Sequence, residues 1–544
     1  MALRKQQWML LRGFLVATLF LTSLAFGNSP VERSQSLSLV TMLPLLDLEW
    51  KLIENLNNYT KALELKLHIV RSHIDVMRAE NEKGRLDPIA YLSNPLNGFS
   101  LIRRLYQDWS KWRKYMEQPV GILQIQNLDN LLVELPSKLD LWDACAGIIR
   151  IQSTYNLGIG DFISGKLDGK QYNVSMSSAD IFAVGQHFVE EKSSWEAIQW
   201  LQEVPRHLKN ELLPQHLAIG EVEVLKLLAE MHVNQKNYVE ALSLLDNCLK
   251  LKPHDAALLR LRLKTLCFIE RQQTPVLNEN KPLKTPFVEE YKLSCRGISE
   301  RPSRLHCFYN FTTTPFLRLA PLKTEQIGLD PYIVLYHEVL SKREMSLLIS
   351  RASRKMKVAT IYKSNTKNKK KKGRTAKGHW FNKENNELTR RISRRIHDMT
   401  GFDLTDSEEF QVINYGIGGH FHTHSDYFNF ASANFTGHRN RQATVLGDRI
   451  ATVLFYLTDV EQGGATVFEK TGYAVYPRAG TAIFWFNLNT NGYGDPRTRH
   501  AACPVIVGSK WVMTEWIREW RQMFIRPCLP RATGTSSKLN RTKS

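Results

Sequence analysis

The stretch Asn414-Tyr-Gly-Ile-Gly-Gly-His-Phe-His-Thr-His-Ser-Asp426 constrains this chain more than any other. His424 and Asp426 are two apart, and on a strand side chains two apart point to the same face. An imidazole and a carboxylate then stand side by side, with the compact Ser425 between them. A third ligand, His500, has to arrive from a distant strand. Two His and one carboxylate on one face of a metal form the facial triad of non-haem Fe(II) oxygenases. The positions left open suit a bidentate keto acid and dioxygen. His420 and His422 are extra imidazoles next door, and His422 shares the strand face of His424. His424 is preferred because it alone lies two before an aspartate.

Lys510 lies ten residues beyond His500. Residues 501–507 read as a buried strand, Gly508-Ser509 as a turn, and 510–516 as the returning strand. A cation deep in a barrel mouth is costly unless paired, and a dicarboxylate cosubstrate pairs it.

The full set is Tyr415-Gly-x-Gly-Gly, His424-x-Asp426, Gly463-Gly-Ala-Thr-Val-Phe468, Thr498-Arg-His500 and Lys510, in order and at domain-sized spacing. With this set the chain resembles the α subunit of collagen prolyl 4-hydroxylase, over nearly its whole length. The resemblance implies a 2-oxoglutarate- and Fe(II)-dependent dioxygenase, with ascorbate rescuing oxidised iron. It implies that His424, Asp426 and His500 hold the metal and that Lys510 pairs with the far carboxylate of 2-oxoglutarate. Tyr415, Tyr456, Thr466 and Trp516 lie where the family lines that pocket. Strand parity puts Tyr456 on one face with Leu454 and Thr452. Arg499 reads as a surface or hydrogen-bonding residue.

A length of 544 residues predicts three or four domains. The net charge of +20 raises nucleic acid, an anionic surface or acidic partners as classes. The charged start Met1-Ala-Leu-Arg-Lys, the apolar run 13–26 and the small-x-small site Ala25-Phe26-Gly27 read as a secretory signal peptide. That argues against a nuclear role for the basic run 367–374, which falls on a strand-to-strand loop: a solvated loop, or a flap attracting acidic sequences. No later run of about twenty apolar residues follows, so no membrane span is expected. The tail carries no retention signal of the Lys-Asp-Glu-Leu type. Residence in the endoplasmic reticulum lumen then needs a partner. The resemblance implies protein disulfide isomerase as β subunit, in an α2β2 tetramer.

An odd count of seven Cys leaves at least one unpaired within a chain. The resemblance implies Cys295–Cys307 and Cys503–Cys528 as disulfides. Cys145, Cys248 and Cys267 sit in helical, apolar contexts and read as buried thiols. Glycosylation sequons begin at Asn58, Asn173, Asn310, Asn434 and Asn540.

The organisation expected is an α+β multidomain chain. A signal peptide (1–27) precedes a helical region (28–152), where Leu52, Leu56, Tyr59, Leu63, Leu67, Val70, Ile74 and Met77 recur at helical steps; periodicity alone favours a helix packed on its own domain, and the resemblance implies a dimerisation domain. Trp109 and Trp112 read as core of a following helix. Residues 129–151 read as a helix interrupted near Pro136, and 154–178 as a loop. A tetratricopeptide-like peptide-substrate domain (165–270) is read from Gly185, Phe188, Ala197 and Leu201, then Ala229, His232, Ala241, Leu245 and Pro253. Ala197 to Ala241 is 44 residues, longer than the usual repeat of about 34. A linker with a disulfide staple (271–330) leads to a double-stranded β-helix (jelly roll) oxygenase domain (331–529) and a disordered tail (530–544). Ser341 with Glu344 marks the start of a capped helix there.

The family's groove is rich in tyrosine and docks proline-rich, procollagen-like peptides, whose polyproline II shape suits aromatic grooves. Here Leu227, Glu230 and Val233 occupy the expected tyrosine positions, with Phe188, Trp195, Trp200 and Tyr238 as nearby aromatics. Three readings follow: a procollagen-type prolyl 4-hydroxylase α subunit acting on X-Pro-Gly; a related hydroxylase for other secreted proline-containing proteins; and a non-catalytic peptide-binding assembly subunit, which the intact ligand set argues against. A zinc hydrolase leaves Lys510 unexplained.

Overall fold

The computed structural model describes residues 35–209, 211, 219–272, 290–297, 306–359, 373–430 and 445–526. The expected signal peptide and tail, Cys528, the sequons at Asn434 and Asn540 and most of the basic run lie outside the described residues. The chain divides into two units, one of residues Thr41–Ser137 and one of the remainder. The division falls at Ser137 rather than near 152. Helix Lys138–Tyr155 belongs to the larger unit and buries Cys145, Ile151 and Tyr155 there.

The smaller unit is helical. Helix Leu39–Leu86 runs for 48 residues, about 70 Å at the usual rise. Asp87 and Asn94 then cap Pro88–Ser93 and Pro95–Arg103 with side-chain oxygens, each ahead of a proline that needs no intrahelical partner. Helices Trp109–Glu117 and Ile122–Leu132 complete the unit. Of the expected apolar stripe, Leu56, Leu63, Leu67 and Ile74 are exposed, while Leu52, Tyr59, Val70 and Met77 are half-buried. Trp109, expected in a core, is 57% exposed, and Trp112 packs edge-on to His73 instead.

The larger unit begins with helices. The interruption expected near Pro136 separates Ile122–Leu132 from Lys138–Tyr155. The expected loop at 154–178 instead holds helix Ile159–Ile163 and a small hairpin, Lys166–Leu167 with Lys170–Gln171. Antiparallel helices Ser178–Glu190, Ser194–Leu201, Glu221–Asn234, Tyr238–Leu251 and Ala256–Gln272 follow. Small residues set their spacing: a Cβ on Gly185 comes 2.5 Å from the Leu201 side chain, and Ala197, Ala229 and Ala241 are fully buried. Trp200, expected beside a groove, is core and packs on Phe162. Cys145 and Cys248 are buried, but Cys267 is exposed, because it falls on the outer side of the last helix.

Among the described residues a nine-stranded antiparallel sheet dominates the rest, in the order Cys307–Asn310, Leu322–Leu329, Tyr332–His337, Ala482–Phe486, Arg449–Tyr456, Trp511–Arg518, Phe410–Tyr415, Ala376–Phe381, Lys357–Val358. Its first two strands lie ahead of residue 331. Alternation divides its side chains. Val334, Phe410, Val412, Phe455 and Met513 face helices Lys342–Ser353 and Glu387–Thr400. The first helix carries the Ser341–Glu344 capping box, and Glu344 also binds Arg395 of the second. Ile413, Tyr415, Tyr456, Trp485 and Val512 face the other way. They pack with a four-stranded sheet ordered Tyr473–Val475, Thr466–Phe468, His500–Ala502, Phe421–His424.

The single strand expected at 501–507 is two strands. His500–Ala502 stays in the four-stranded sheet, while Val505–Gly508 pairs with Val460–Gly463. Pro504 has no N–H for a ladder, so pairing breaks there. The Cys503 N–H donates to the Ala465 carbonyl and the Gly464 N–H to that of Pro504.

Neither expected disulfide is present. Cys295 bonds Cys503, with Cα atoms 5.7 Å apart, within the usual range. Helix Glu290–Cys295 packs against the four-stranded sheet, which brings together cysteines 208 residues apart. Cys307 is a free, exposed thiol on the edge strand of the large sheet, and closeness in sequence does not carry it to Cys295.

Candidate active site

The large and small sheets meet around His424, Asp426 and His500, whose ligand atoms all lie within 4.8 Å of one another. His424 ends strand Phe421–His424 and is the register partner of His500 on the neighbouring strand. Asp426 follows two residues later and sits between the rings. Its two oxygens are each 3.7 Å from an Nε2, Oδ1 from His424 and Oδ2 from His500.

Each ring is held by its other nitrogen. His424 Nδ1 is 2.8 Å from the His422 carbonyl and His500 Nδ1 is 3.0 Å from the Thr498 carbonyl. A carbonyl only accepts, so Nδ1 carries the proton and Nε2 keeps its lone pair for a metal. Burial, then the neighbouring His500, pushes His424 down to about 3, which keeps the imidazole neutral. Burial acts to raise the Asp426 carboxyl, but His500, His424 and Arg449 outweigh it and hold it below its ordinary value.

Thr452 completes the carboxylate's setting. Its hydroxyl donates to Asp426 Oδ2 at 2.7 Å and accepts from Asn487 Nδ2 at 2.8 Å. Asn487 in turn accepts from Trp485 Nε1, and the Trp485 ring stands 4.8 Å from that of His500. Sequence reasoning placed Thr452 on the face of Tyr456 without giving it a task. Its partner Asn487 and the stacked Arg449 carried no local signal.

Lys510 is 1% exposed, and its ammonium has no hydrogen-bond partner among the described residues. It lies 5.2 Å from the Tyr415 ring centroid. Burial alone pushes it down to about 7. Tyr415 and Tyr456 are buried in the apolar layer between the sheets, and Tyr456 donates to Thr466 at 2.8 Å. Trp516 is the register partner of Thr452, and the Arg449 guanidinium lies 4.2 Å from its ring. Arg449 is fixed by Glu408 at 2.6 Å.

His420 and His422 are set apart from the triad. His420 is buried against Thr375 at 2.8 Å, while His422 is exposed. The Arg374 guanidinium covers the Phe421 ring at 4.7 Å, and that ring stacks on His424. Arg499 is half-exposed beside Glu469.

The expected groove residues lie well apart in character. Leu227 and Val233 are half-buried and packed on apolar clusters, Glu230 faces Lys226, and Phe188 is half-buried. Trp195 is 58% exposed.

Residues 410–518 match the 2OG-Fe(II) oxygenase superfamily, which is the class of protein that the sheets and the His-Asp-His cluster define. Residues 38–169 match the prolyl 4-hydroxylase alpha-subunit N-terminal region. Prolyl 4-hydroxylase subunit alpha-2 of Caenorhabditis elegans is 33% identical over 87% of this chain and 89% of its own. Prolyl 4-hydroxylase subunit alpha-1 of Homo sapiens is 32% identical over 90% and 95%. This chain belongs to the prolyl 4-hydroxylase α-subunit family. A solved viral collagen prolyl hydroxylase from Paramecium Bursaria Chlorella virus-1, in a 2OG complex, is 25% identical and covers 34% of this chain and 96% of that one, with a TM-score of 0.27.

Proposed function

We propose that this chain is a catalytic prolyl 4-hydroxylase α subunit, which hydroxylates proline in X-Pro-Gly sequences of procollagen-like chains. The observation that carries this reading is Lys510, a buried ammonium with no hydrogen-bond partner among the described residues, in a domain that also gathers a His-Asp-His cluster. A buried cation is stable only when paired, and a dicarboxylate cosubstrate supplies the pair. Two imidazole Nε2 atoms and one carboxylate suit Fe(II) with positions left for further ligands.

His424, Asp426 and His500 would hold the iron, and Lys510 the far carboxylate of 2-oxoglutarate. Bound Fe(II), with dioxygen and 2-oxoglutarate, supplies oxidative decarboxylation to succinate and carbon dioxide, coupled to insertion of one oxygen atom at proline C4. The chain supplies the rest. The His422 and Thr498 carbonyls fix both imidazoles, Thr452 fixes the Asp426 rotamer, and Tyr415, Tyr456 and Thr466 wall the cosubstrate pocket. The apolar layer between the sheets excludes water from the reacting centre. Ascorbate would restore oxidised iron.

The finer architecture follows the same reading. The two facing sheets are a double-stranded β-helix, and the helix pairs are a tetratricopeptide-type peptide-binding domain. The exposed apolar stripe of Leu39–Leu86 supports self-association, with protein disulfide isomerase as β subunit of an α2β2 tetramer in the endoplasmic reticulum lumen. No helix among the described residues is long and apolar enough to cross a membrane. Glu230 among Leu227 and Val233 favours a second reading of substrate: another secreted proline-containing protein.

The test is succinate release from 2-oxoglutarate by the chain coexpressed with disulfide isomerase, given Fe(II), ascorbate and a (Pro-Pro-Gly) repeat peptide. Peptide-dependent turnover with 4-hydroxyproline supports the first reading. Turnover without hydroxyproline moves the substrate to another peptide. No turnover by an iron-loaded tetramer overturns the catalytic reading.

A further inference from the structure

The glycine-rich stretch Tyr415-Gly-Ile-Gly-Gly419 supplies no metal ligand, yet its backbone is closely packed. A Cβ on Gly416 would stand 2.0 Å from the Ser36 carbonyl oxygen, and one on Gly418 would stand 2.3 Å from that of Gly147. Gly418 also has φ +54, a conformation that favours glycine. The glycines therefore admit two other parts of the chain, the segment 35–40 and helix Lys138–Tyr155, onto this turn. The Ile417 N–H donates to the Ser36 carbonyl at 3.2 Å, and Arg150 donates to the Gly418 carbonyl at 2.6 Å.

Asn414 joins this docking to the cosubstrate pocket. It is fully buried. Its Oδ1 accepts from Ser38 Oγ at 2.6 Å and from the Leu39 N–H at 2.9 Å. Its Nδ2 donates to Ser509 Oγ and to the Lys510 carbonyl, both at 3.3 Å. The next residue, Tyr415, sends its N–H to the same Lys510 carbonyl at 3.2 Å, and its ring lies beside the Lys510 ammonium. One amide thus ties 35–40 to the backbone of Lys510, and its chain neighbour Tyr415 lies beside the same lysine.

We propose that Asn414 is a positioning residue: it fastens the segment 35–40 to the backbone of Lys510, so that docking of this segment strengthens 2-oxoglutarate binding. This rests on Lys510 being the residue that meets the cosubstrate. Coupling of this kind is reciprocal, so 2-oxoglutarate must stabilise the docked segment by the factor that the segment adds to its affinity.

The experiment uses the iron-loaded full-length chain without oxygen. 2-Oxoglutarate binding is titrated by calorimetry, and hydrogen exchange is followed at the amides of 36–39. Asn414→Ala is expected to weaken binding about tenfold, the loss of a buried hydrogen-bonding group, with iron affinity unchanged. Leu39→Pro removes the N–H that Asn414 accepts, at the first residue of a helix where proline is tolerated, and Leu39→Ala, which keeps that N–H, controls for the lost side chain; the pair keeps the test open if Asn414→Ala fails to fold. Leu39→Pro, relative to Leu39→Ala, is expected to weaken 2-oxoglutarate binding in the same direction. Asn414→Asp keeps both acceptor bonds to 38 and 39 but loses donation to Lys510, so it should weaken binding while the segment stays protected. In the parent chain, 2-oxoglutarate should slow exchange at Leu39.

Folded, iron-binding variants at 414 and Leu39→Pro with parental 2-oxoglutarate affinity overturn the proposal. So does unchanged exchange at Leu39 on saturation. Parental affinity in Lys510→Ala instead overturns the reading of Lys510, which separates the two failures.

Discussion

His424 and His500 stand directly opposite each other across an antiparallel strand pair, with ring centroids 4.3 Å apart. Strand pairing, not a local turn, therefore sets the distance between two of the three metal-competent side chains. The third, Asp426, is fixed by Thr452 from the other sheet. Residues 76 apart in sequence reach one point because their strands pair within the small sheet, and Thr452 reaches them because the large sheet faces it.

This predicts a graded effect on the metal. Asp426→Ala should abolish iron-dependent turnover in a chain that still folds. Thr452→Val removes the hydroxyl that orients Asp426 and should lower iron affinity about 10- to 100-fold, the usual cost of losing such a partner. Metal titration followed by succinate release measures both. Retained turnover in Asp426→Ala removes that residue from the ligand set.

Lys510 gives a pH prediction. Its ordinary value of 10.5 falls to about 7 in the fold. Between these values the folded chain holds fewer protons than the unfolded one, so this group's penalty is full below pH 7 and eases as pH rises. A dianion restores the ammonium, so 2-oxoglutarate binding takes up a proton above pH 7 and weakens with pH. Calorimetry in two buffers of different ionisation enthalpy reads that uptake. Lys510→Ala should raise the KM for 2-oxoglutarate and lose the uptake; an unchanged KM refutes the assignment.

The disulfide is open to direct mapping. Non-reducing peptide maps should recover Cys295 joined to Cys503 and leave Cys307 reactive to alkylation. Cys503→Ser should cost about 2–4 kcal/mol and lower Tm, while Cys307→Ser should leave Tm unchanged. A Cys295–Cys307 peptide would rule the pairing out.

The helical groove yields a gain-of-function test. Glu230→Tyr with Val233→Tyr adds two aromatic faces to helix Glu221–Asn234 and should tighten binding of proline-rich peptides several-fold. Equal affinity in fluorescence titrations would mean that the peptide docks on a different surface. Exposed Trp195, on the neighbouring helix Ser194–Leu201, is then the next position to change.

Much of this protein is legible in its sequence, because some signals are local. The spacing of two singles out His424 and Asp426 together, although Asp426 lies just past the strand end and is held by Thr452 rather than by strand alternation. Ser341 with Glu344 announces a helix start that the capping box realises, and Pro136 announces a break between helices. Small residues at 185, 197, 229 and 241 announce close helix packing. Each depends on neighbours within a turn or a strand, so no long-range information is needed.

Tertiary structure alone decides the rest. Cys295 chooses Cys503 over Cys307 because a helix packs on a sheet 208 residues away. Trp200 goes to the core and Trp109 to the surface although both sit on helical patterns. Thr452, Asn487 and Arg449 gain their tasks only when the sheets meet, and Asn414 only when residues 35–40 fold back onto a glycine turn. Backbone periodicity is written in adjacent residues. Which side chains share a buried space depends on how distant elements pack, and no spacing along the chain encodes that.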